Sequence, residues 1–120
     1  MKTSKMIGFA ALASAASLLG ATVAEAHAKL VSASPSANAT VAAPKQVILK
    51  FNEKLSRKFS GASISMPGMA APAKVSLGKD GKTLILQPKT RLMAGAYTVK
   101  WRVVTPDTHR TEGTYAFTVR

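Results

Sequence analysis

The chain has 120 residues, with 17 Lys or Arg against five Asp or Glu, a formal net charge of +12, 47% hydrophobic residues and no cysteine. The missing cysteine excludes a disulfide and any thiolate metal site. No arginine-rich run or aromatic stacking ladder accompanies the charge, so it does not read as nucleic-acid recognition. Dispersed cations suit solvation instead, or contact with anionic lipid headgroups or an acidic partner.

Lys2 and Lys5 form a positive start, Met6 to Leu19 is an uncharged run of apolar and small residues, and Ala24-Glu25-Ala26 has the small-x-small form of a secretory cleavage site. The apolar run is shorter than the about 20 residues of a transmembrane helix. This order predicts a signal peptide over residues 1–26 and an exported domain over residues 27–120. The alternative is an N-terminal anchor helix, or a stretch packed on the domain. Taking 26 residues from 120 leaves 94, enough for one small domain with one core. Losing Lys2, Lys5 and Glu25 leaves 15 basic residues and four acids, Glu53, Asp80, Asp107 and Glu112. Cleavage after Ala26 also makes His27 the first residue, offering a metal both its α-amine and its imidazole.

Short alternating segments separated by Gly, Pro and Ser then predict an all-β domain. Weaker strands are expected at 28–33, 61–66, 73–77 and 83–87. Stronger ones are expected where Val47, Leu49 and Phe51 alternate with Ile48, Lys50 and Asn52, and again along Tyr97 to Val103 and Tyr115 to Val119. About seven strands suffice for two sheets packed face to face. Turns are signalled by Ser34-Pro35, Ala43-Pro44, Pro67-Gly68, Lys79-Asp80-Gly81-Lys82 and Ala94-Gly95. Phe51, Tyr97, Trp101, Tyr115 and Phe117 fall on the inward parity and read as core.

The only histidine besides His27 is His109, in Asp107-Thr108-His109 between the last two strands. Asp107 and His109 are two residues apart, so an extended segment would point both side chains the same way. Strand ends are where a sandwich exposes polar groups on a rigid base. Glu53 shares parity with Phe51 and should emerge at the rim of the inward face, where an acid needs a cationic partner. Two imidazoles and an amine supply three nitrogens, and a carboxylate can complete a tetragonal set that suits Cu(II). Calcium would want more oxygens, and structural zinc four protein side chains. The bland reading of Asp107-Thr108-His109 is a turn in which the aspartate caps a backbone amide and the histidine is merely exposed.

The stretches His27-Ala28-Lys29-Leu30-Val31-Ser32, Ser34-Pro35, Phe51-Asn52-Glu53, Phe59-Ser60-Gly61-Ala62, Ala94 to Trp101 and Asp107-Thr108-His109 resemble the CopC/PcoC family of periplasmic copper-resistance proteins. The resemblance implies a cupredoxin-like or immunoglobulin-like Greek-key β-sandwich or barrel that binds Cu(II). By position, it implies His27 as ligand through amine and ring, His109 through its ring, Asp107 as weak ligand or neighbour of the metal, and Glu53 beside it. It further implies a monomeric periplasmic copper carrier in copper resistance or homeostasis, working with an inner-membrane CopD-like transport partner. Some members carry a methionine-rich Cu(I) loop with a histidine. The matching segment here, Ser65 to Pro72, keeps only Met66-Pro67-Gly68-Met69. Two thioethers favour soft Cu(I) but rarely hold it alone, so Met66 and Met69 are a weak Cu(I) pair or ordinary apolar contacts. Met93 reads as core or turn packing.

An N-terminal histidine with a second histidine also resembles the copper site of lytic polysaccharide monooxygenases, the competing, enzymatic reading. Few aromatics remain to build a polysaccharide face, and a carboxylate beside the copper would crowd an oxygen site. No nucleophile–base pair is available either, so the expectation is a carrier without catalysis.

Overall fold

The computed structural model describes residues 28–120; the expected signal segment and His27 lie outside the described residues. Nine strands follow in chain order: β1 Leu30–Ser34, β2 Thr40–Val41, β3 Val47–Phe51, β4 Gly61–Met66, β5 Met69–Ala71, β6 Ala73–Leu77, β7 Thr83–Pro88, β8 Gly95–Val104 and β9 Arg110–Val119. They form two sheets, ordered β1-β3-β7-β6 and β2-β9-β8-β4-β5. All neighbours are antiparallel except β2 with β9. The domain is therefore all-β, and its two separate layers make it a sandwich and not a closed barrel. All seven expected strands are present. The additional β2 and β5 have two and three residues, too few for alternation to show in the sequence.

Alternation decides which face each strand buries. In β3, Val47, Leu49 and Phe51 are buried while Lys50 is exposed; in β8, Tyr97, Val99 and Val103 are buried while Lys100 and Arg102 face out. With Leu84 and Leu86 of β7 and Phe117 and Val119 of β9, these residues form one core between the sheets. Each full burial is worth about 1.5–3 kcal/mol before ordering entropy is charged against it. Tyr97 stacks on Phe117 with centroids 5.5 Å apart, and Phe51 meets Trp101 edge-on across the sheets at 5.2 Å. Tyr115 and Trp101 are half-buried against the same cluster, so all five aromatics lie where the sequence parity puts them.

Trp101 has space because its register partners on either side are Ala62 and Gly113. The indole covers Gly113 so closely that a Cβ there would lie 2.2 Å from its Cζ2.

β8 and β9 are the long elements, and they carry the layout of the molecule. At ~3.3 Å per residue, the ten residues of β8 run about 30 Å, from the Gly95 end beside the β4–β5 turn to the Val104 end, where the chain turns into β9.

Candidate metal centre

The β8–β9 connection is a tight hairpin. The Thr105 amide donates to the His109 carbonyl at 2.9 Å, and the Thr108 amide donates to the Thr105 carbonyl at 2.8 Å. Pro106 supplies the fixed φ of the first turn position, and Thr108 takes the left-handed position with φ of 70°. This is the three-residue hairpin loop in which a turn is followed by a left-handed residue. A β-branched side chain is strained in that conformation.

The turn brings Asp107 and His109 together. Asp107 Oδ2 lies 3.1 Å from His109 Nδ1, with side chains 64% and 44% exposed respectively. The sequence expectation of a shared side in extended backbone reached the right pair by the wrong geometry: the hairpin, not strand alternation, closes the contact. Thr105, buried at 2% exposure, donates its hydroxyl to Asp107 Oδ1. These two donors, the Thr105 hydroxyl first and His109 second, hold the Asp107 carboxyl below the ordinary aspartate range. Asp107 therefore stays ionised and pairs with Nδ1. A ring whose Nδ1 carries the proton presents its lone pair at Nε2.

Two more segments are fastened to this end. Residues 52–60 cross over it: Ser56 donates its amide to the Val104 carbonyl at 2.7 Å, and the Val104 amide donates to Ser60 Oγ at 3.0 Å. Buried Leu55 pins the same loop, its amide donating to the Gly81 carbonyl at 2.8 Å. The start of the described chain is held as firmly. The Lys29 amide donates to Asn52 Oδ1 at 2.7 Å, and the Asn52 amide donates back to the Lys29 carbonyl at 3.1 Å. Ala28 is buried, and its carbonyl accepts from Thr111 Oγ1 at 3.1 Å. Thr111 is two residues beyond His109, so the chain enters the fold beside the hairpin.

Glu53 follows buried Phe51 and exposed Asn52 and is itself half-buried, at the rim as its parity predicts. Among the described residues, no three of His, Cys, Asp and Glu stand close enough to hold a metal together. The structure thus joins Asp107 to His109 and leaves Glu53 outside any such trio, while His27 lies outside the described residues. The sequence pattern singled out neither Thr105 nor Thr111, and Asn52 only as part of the Phe51-Asn52-Glu53 stretch, with no clamping role. A threonine immediately before Pro106, and an asparagine ending a strand ahead of a polar loop, were the available signals.

Met66 and Met69 face each other as register partners across the Pro67-Gly68 turn, where Gly68 supplies a φ of 73°. They line a recess of about 90 Å³ that Met93 and Tyr97 also line. Of the two readings of Met93, core or turn packing, its 61% exposure excludes core; its backbone carbonyl accepts from the Tyr97 hydroxyl at 2.7 Å. This recess sits at the Gly95 end, about the length of β8 from the hairpin.

The CopC domain model matches residues 30–120. The chain belongs to the CopC family. Among curated relatives, Copper resistance protein C of Escherichia coli is 43% identical over 104 residues, covering 79% of this chain and 82% of that protein. Copper resistance protein C of Pseudomonas syringae pv. tomato is 43% identical over 114 residues, covering 88% and 90%. Among solved structures, PcoC, described as a methionine-rich copper resistance protein from Escherichia coli, superposes with a TM-score of 0.73 at 44% identity over 79% of this chain and all of that one. CopC from Methylosinus trichosporium OB3b gives 0.71 at 40% identity over 78% and 93%. The hairpin, the 52–60 loop and the anchored entry at Ala28 all belong to this CopC domain or to the two residues leading into it.

Proposed function

We propose that this CopC-family chain is an exported, periplasmic Cu(II) carrier of copper resistance or homeostasis, cleaved after Ala26 so that His27 binds through its α-amine and ring. The described residues offer one imidazole with its carboxylate, which is too few donors for a tight site. The observation that carries the reading is the hydrogen bond from Thr111 to Ala28, which holds the start of the described chain at the end of the sandwich that carries His109. Two imidazoles and an amine then complete a nitrogen-rich set suited to Cu(II).

Within that site each residue has a separate task. Asp107 fixes the His109 ring through Nδ1 and sits beside the cargo as a neighbour of the ligand. Thr105 keeps Asp107 ionised and oriented. Glu53, half-buried and without a hydrogen bond or ion pair among the described residues, offers a carboxylate that a bound cation would balance. The amine must lose its proton to ligate, so binding weakens as pH falls through its ordinary value of about 8. Met66 and Met69 offer two thioethers to Cu(I) at the far end, a weak pair that supports no tight site alone. Delivery is to a CopD-like inner-membrane transporter, with the carrier acting as a monomer.

N-terminal sequencing of protein recovered from the periplasm tests the cleavage, with His27 expected first. Calorimetric Cu(II) titration of His109→Ala tests the ligand set. Affinity should fall by more than about tenfold, the order seen when one good interaction worth 1.4 kcal/mol is lost. Unchanged affinity would remove His109 from the site.

A further inference from the structure

Five cations that are scattered in the sequence fall on one side of the fold, while the other Lys and Arg of the described residues lie elsewhere. The outward side of β4, β8 and β9 carries Lys100 and Arg102 on β8 and Arg110 on β9, with Arg57 and Lys58 on the loop that crosses the Val104 end. Phe59, 57% exposed, lies among them, with Lys58 Nζ 5.6 Å from its ring centroid. Glu112, an acid on the same face, stands 3.8 Å from Arg110.

The face is concave. Gly61 is the register partner of Arg102 and shares its outward side, where a Cβ would meet nothing within 4 Å. Ser63 and Thr114 flank Lys100 in the next row. Small residues beside long cations leave an open trough of about 600 Å³ around Lys100 and Arg102. A second trough of about 410 Å³, which Arg102 also lines, runs past Phe59, Val104 and Arg110 to Thr108 of the hairpin.

We infer that this double trough is a docking surface for an acidic polypeptide segment carrying an apolar anchor, its carboxylates paired with Lys100, Arg102 and Arg110 and its anchor seated on Phe59. Charge selects the occupant. The chain's own first 26 residues carry Lys2 and Lys5 against Glu25 alone, and a second copy of this strongly basic domain would be repelled. An anionic bilayer would want a protruding apolar band. Here the apolar contribution is one phenylalanine at the end of a hollow, while the other large exposed apolar residues, Val31, Met69, Val75 and Met93, lie on other elements. Cations around an aromatic anchor are the composition of a polar-rimmed protein interface. Because the trough ends at Thr108, a docked segment would lie against the Asp107–His109 hairpin. That consequence rests on the carrier reading, whereas the docking itself does not.

The test uses the mature protein without copper and a fluorescein-labelled oligoglutamate peptide with one central phenylalanine, read by anisotropy against its glutamine counterpart. Wild type should bind the acidic peptide and not the glutamine one, and salt should weaken the binding. Lys100→Glu/Arg102→Glu should weaken it by about tenfold or more, and Phe59→Ala by at least about threefold. Lys45→Glu/Lys74→Glu, with the same change in net charge away from the trough, should stay within about twofold. Equal losses in the two double variants would overturn the proposal in favour of diffuse net charge. Phosphatidylglycerol vesicles binding through Lys100 and Arg102, with the peptide indifferent to both, would overturn it in favour of a membrane. A Cu(II) titration of the Lys100→Glu/Arg102→Glu protein reads the metal site separately, so failure of docking and failure of the carrier reading are distinguishable.

Discussion

The hydroxyl of Thr111 holds the carbonyl of Ala28 at 3.1 Å across 83 residues of sequence, and this one bond ties the start of the domain to the strand that follows the His109 hairpin. Asn52 adds a two-point clamp one residue further on. Together they hold Ala28 and Lys29 at the hairpin end of the sandwich.

Thr111→Val keeps the shape and removes the donor. The expected cost to folding is about 1 kcal/mol, the usual net worth of such a bond. If the bond also positions the N-terminal ligand, Cu(II) affinity should fall several-fold in calorimetric titration while Tm drops by roughly 4–8 °C. Loss of stability with affinity unchanged would confine Thr111 to a structural role.

Gly113 is where the indole of Trp101 covers the backbone too closely to admit a Cβ. Gly113→Ala should destabilise by about 1–3 kcal/mol, the range for overpacking. A domain of this size loses roughly 4–8 °C of Tm for each kcal/mol. The emission of Trp101, the single tryptophan, should shift as its ring is displaced, which checks that the cause is local.

Thr108 sits at a φ of 70°, a conformation that asparagine tolerates and β-branched residues resist. Thr108→Asn should therefore raise Tm by several degrees, a gain of about 1 kcal/mol from relieved strain. A fall in Tm would mean that the Thr108 hydroxyl contributes more than its backbone costs.

Acid should expose the turn at Lys79–Lys82. The Lys82 amide donates to Asp80 Oδ1 at 2.8 Å and the Thr83 hydroxyl to Oδ2 at 2.9 Å, and these bonds hold the Asp80 carboxyl below its ordinary value of 3.8. A depressed acid contributes stability that is fully present above 3.8 and is lost as pH falls through the lower folded value. Urea unfolding midpoints should therefore decline below that pH. Asp80→Asn should be less stable than wild type at neutral pH and show a shallower acid decline. Parallel declines in the two proteins would assign the acid sensitivity elsewhere.

Tyr115 gives the alkaline counterpart. Burial pushes its phenol up to about 12, with its hydroxyl donating to the Pro35 carbonyl at 2.8 Å. A raised value keeps its contribution intact below the ordinary tyrosine value near 10 and removes it as pH rises toward 12. Absorbance titration of Tyr97→Phe should show this late phenolate directly.

Much of this architecture was legible because a half-buried strand writes its burial into alternate residues. Val47, Leu49 and Phe51, and Tyr97, Val99 and Val103, announced their sheets and their inward faces. β2 and β5 were not legible, since two or three residues carry no period, and β2 is set by its parallel partner β9 rather than by its own sequence. The pairing of Asp107 with His109 was legible as a short spacing, but its cause was not. Closing the pair takes a left-handed Thr108 and a buried Thr105, neither of which residue type advertises. Met93 read as core or turn packing, and its apolar side chain could not say which; it stands 61% exposed beside the turn. The collected cations of the β4–β8–β9 face were invisible for another reason: Arg57, Lys58, Lys100, Arg102 and Arg110 converge only when the strands pair.

The most direct test of the carrier reading compares Cu(II) binding to protein beginning at His27 with protein carrying one extra residue ahead of it, both followed by electron paramagnetic resonance. The account predicts a tight one-to-one, nitrogen-rich tetragonal signal that weakens sharply in the extended protein, because the α-amine has been moved off the imidazole-bearing residue. Identical spectra and affinities in the two proteins would show that the amine is not a ligand and would contradict the N-terminal histidine site.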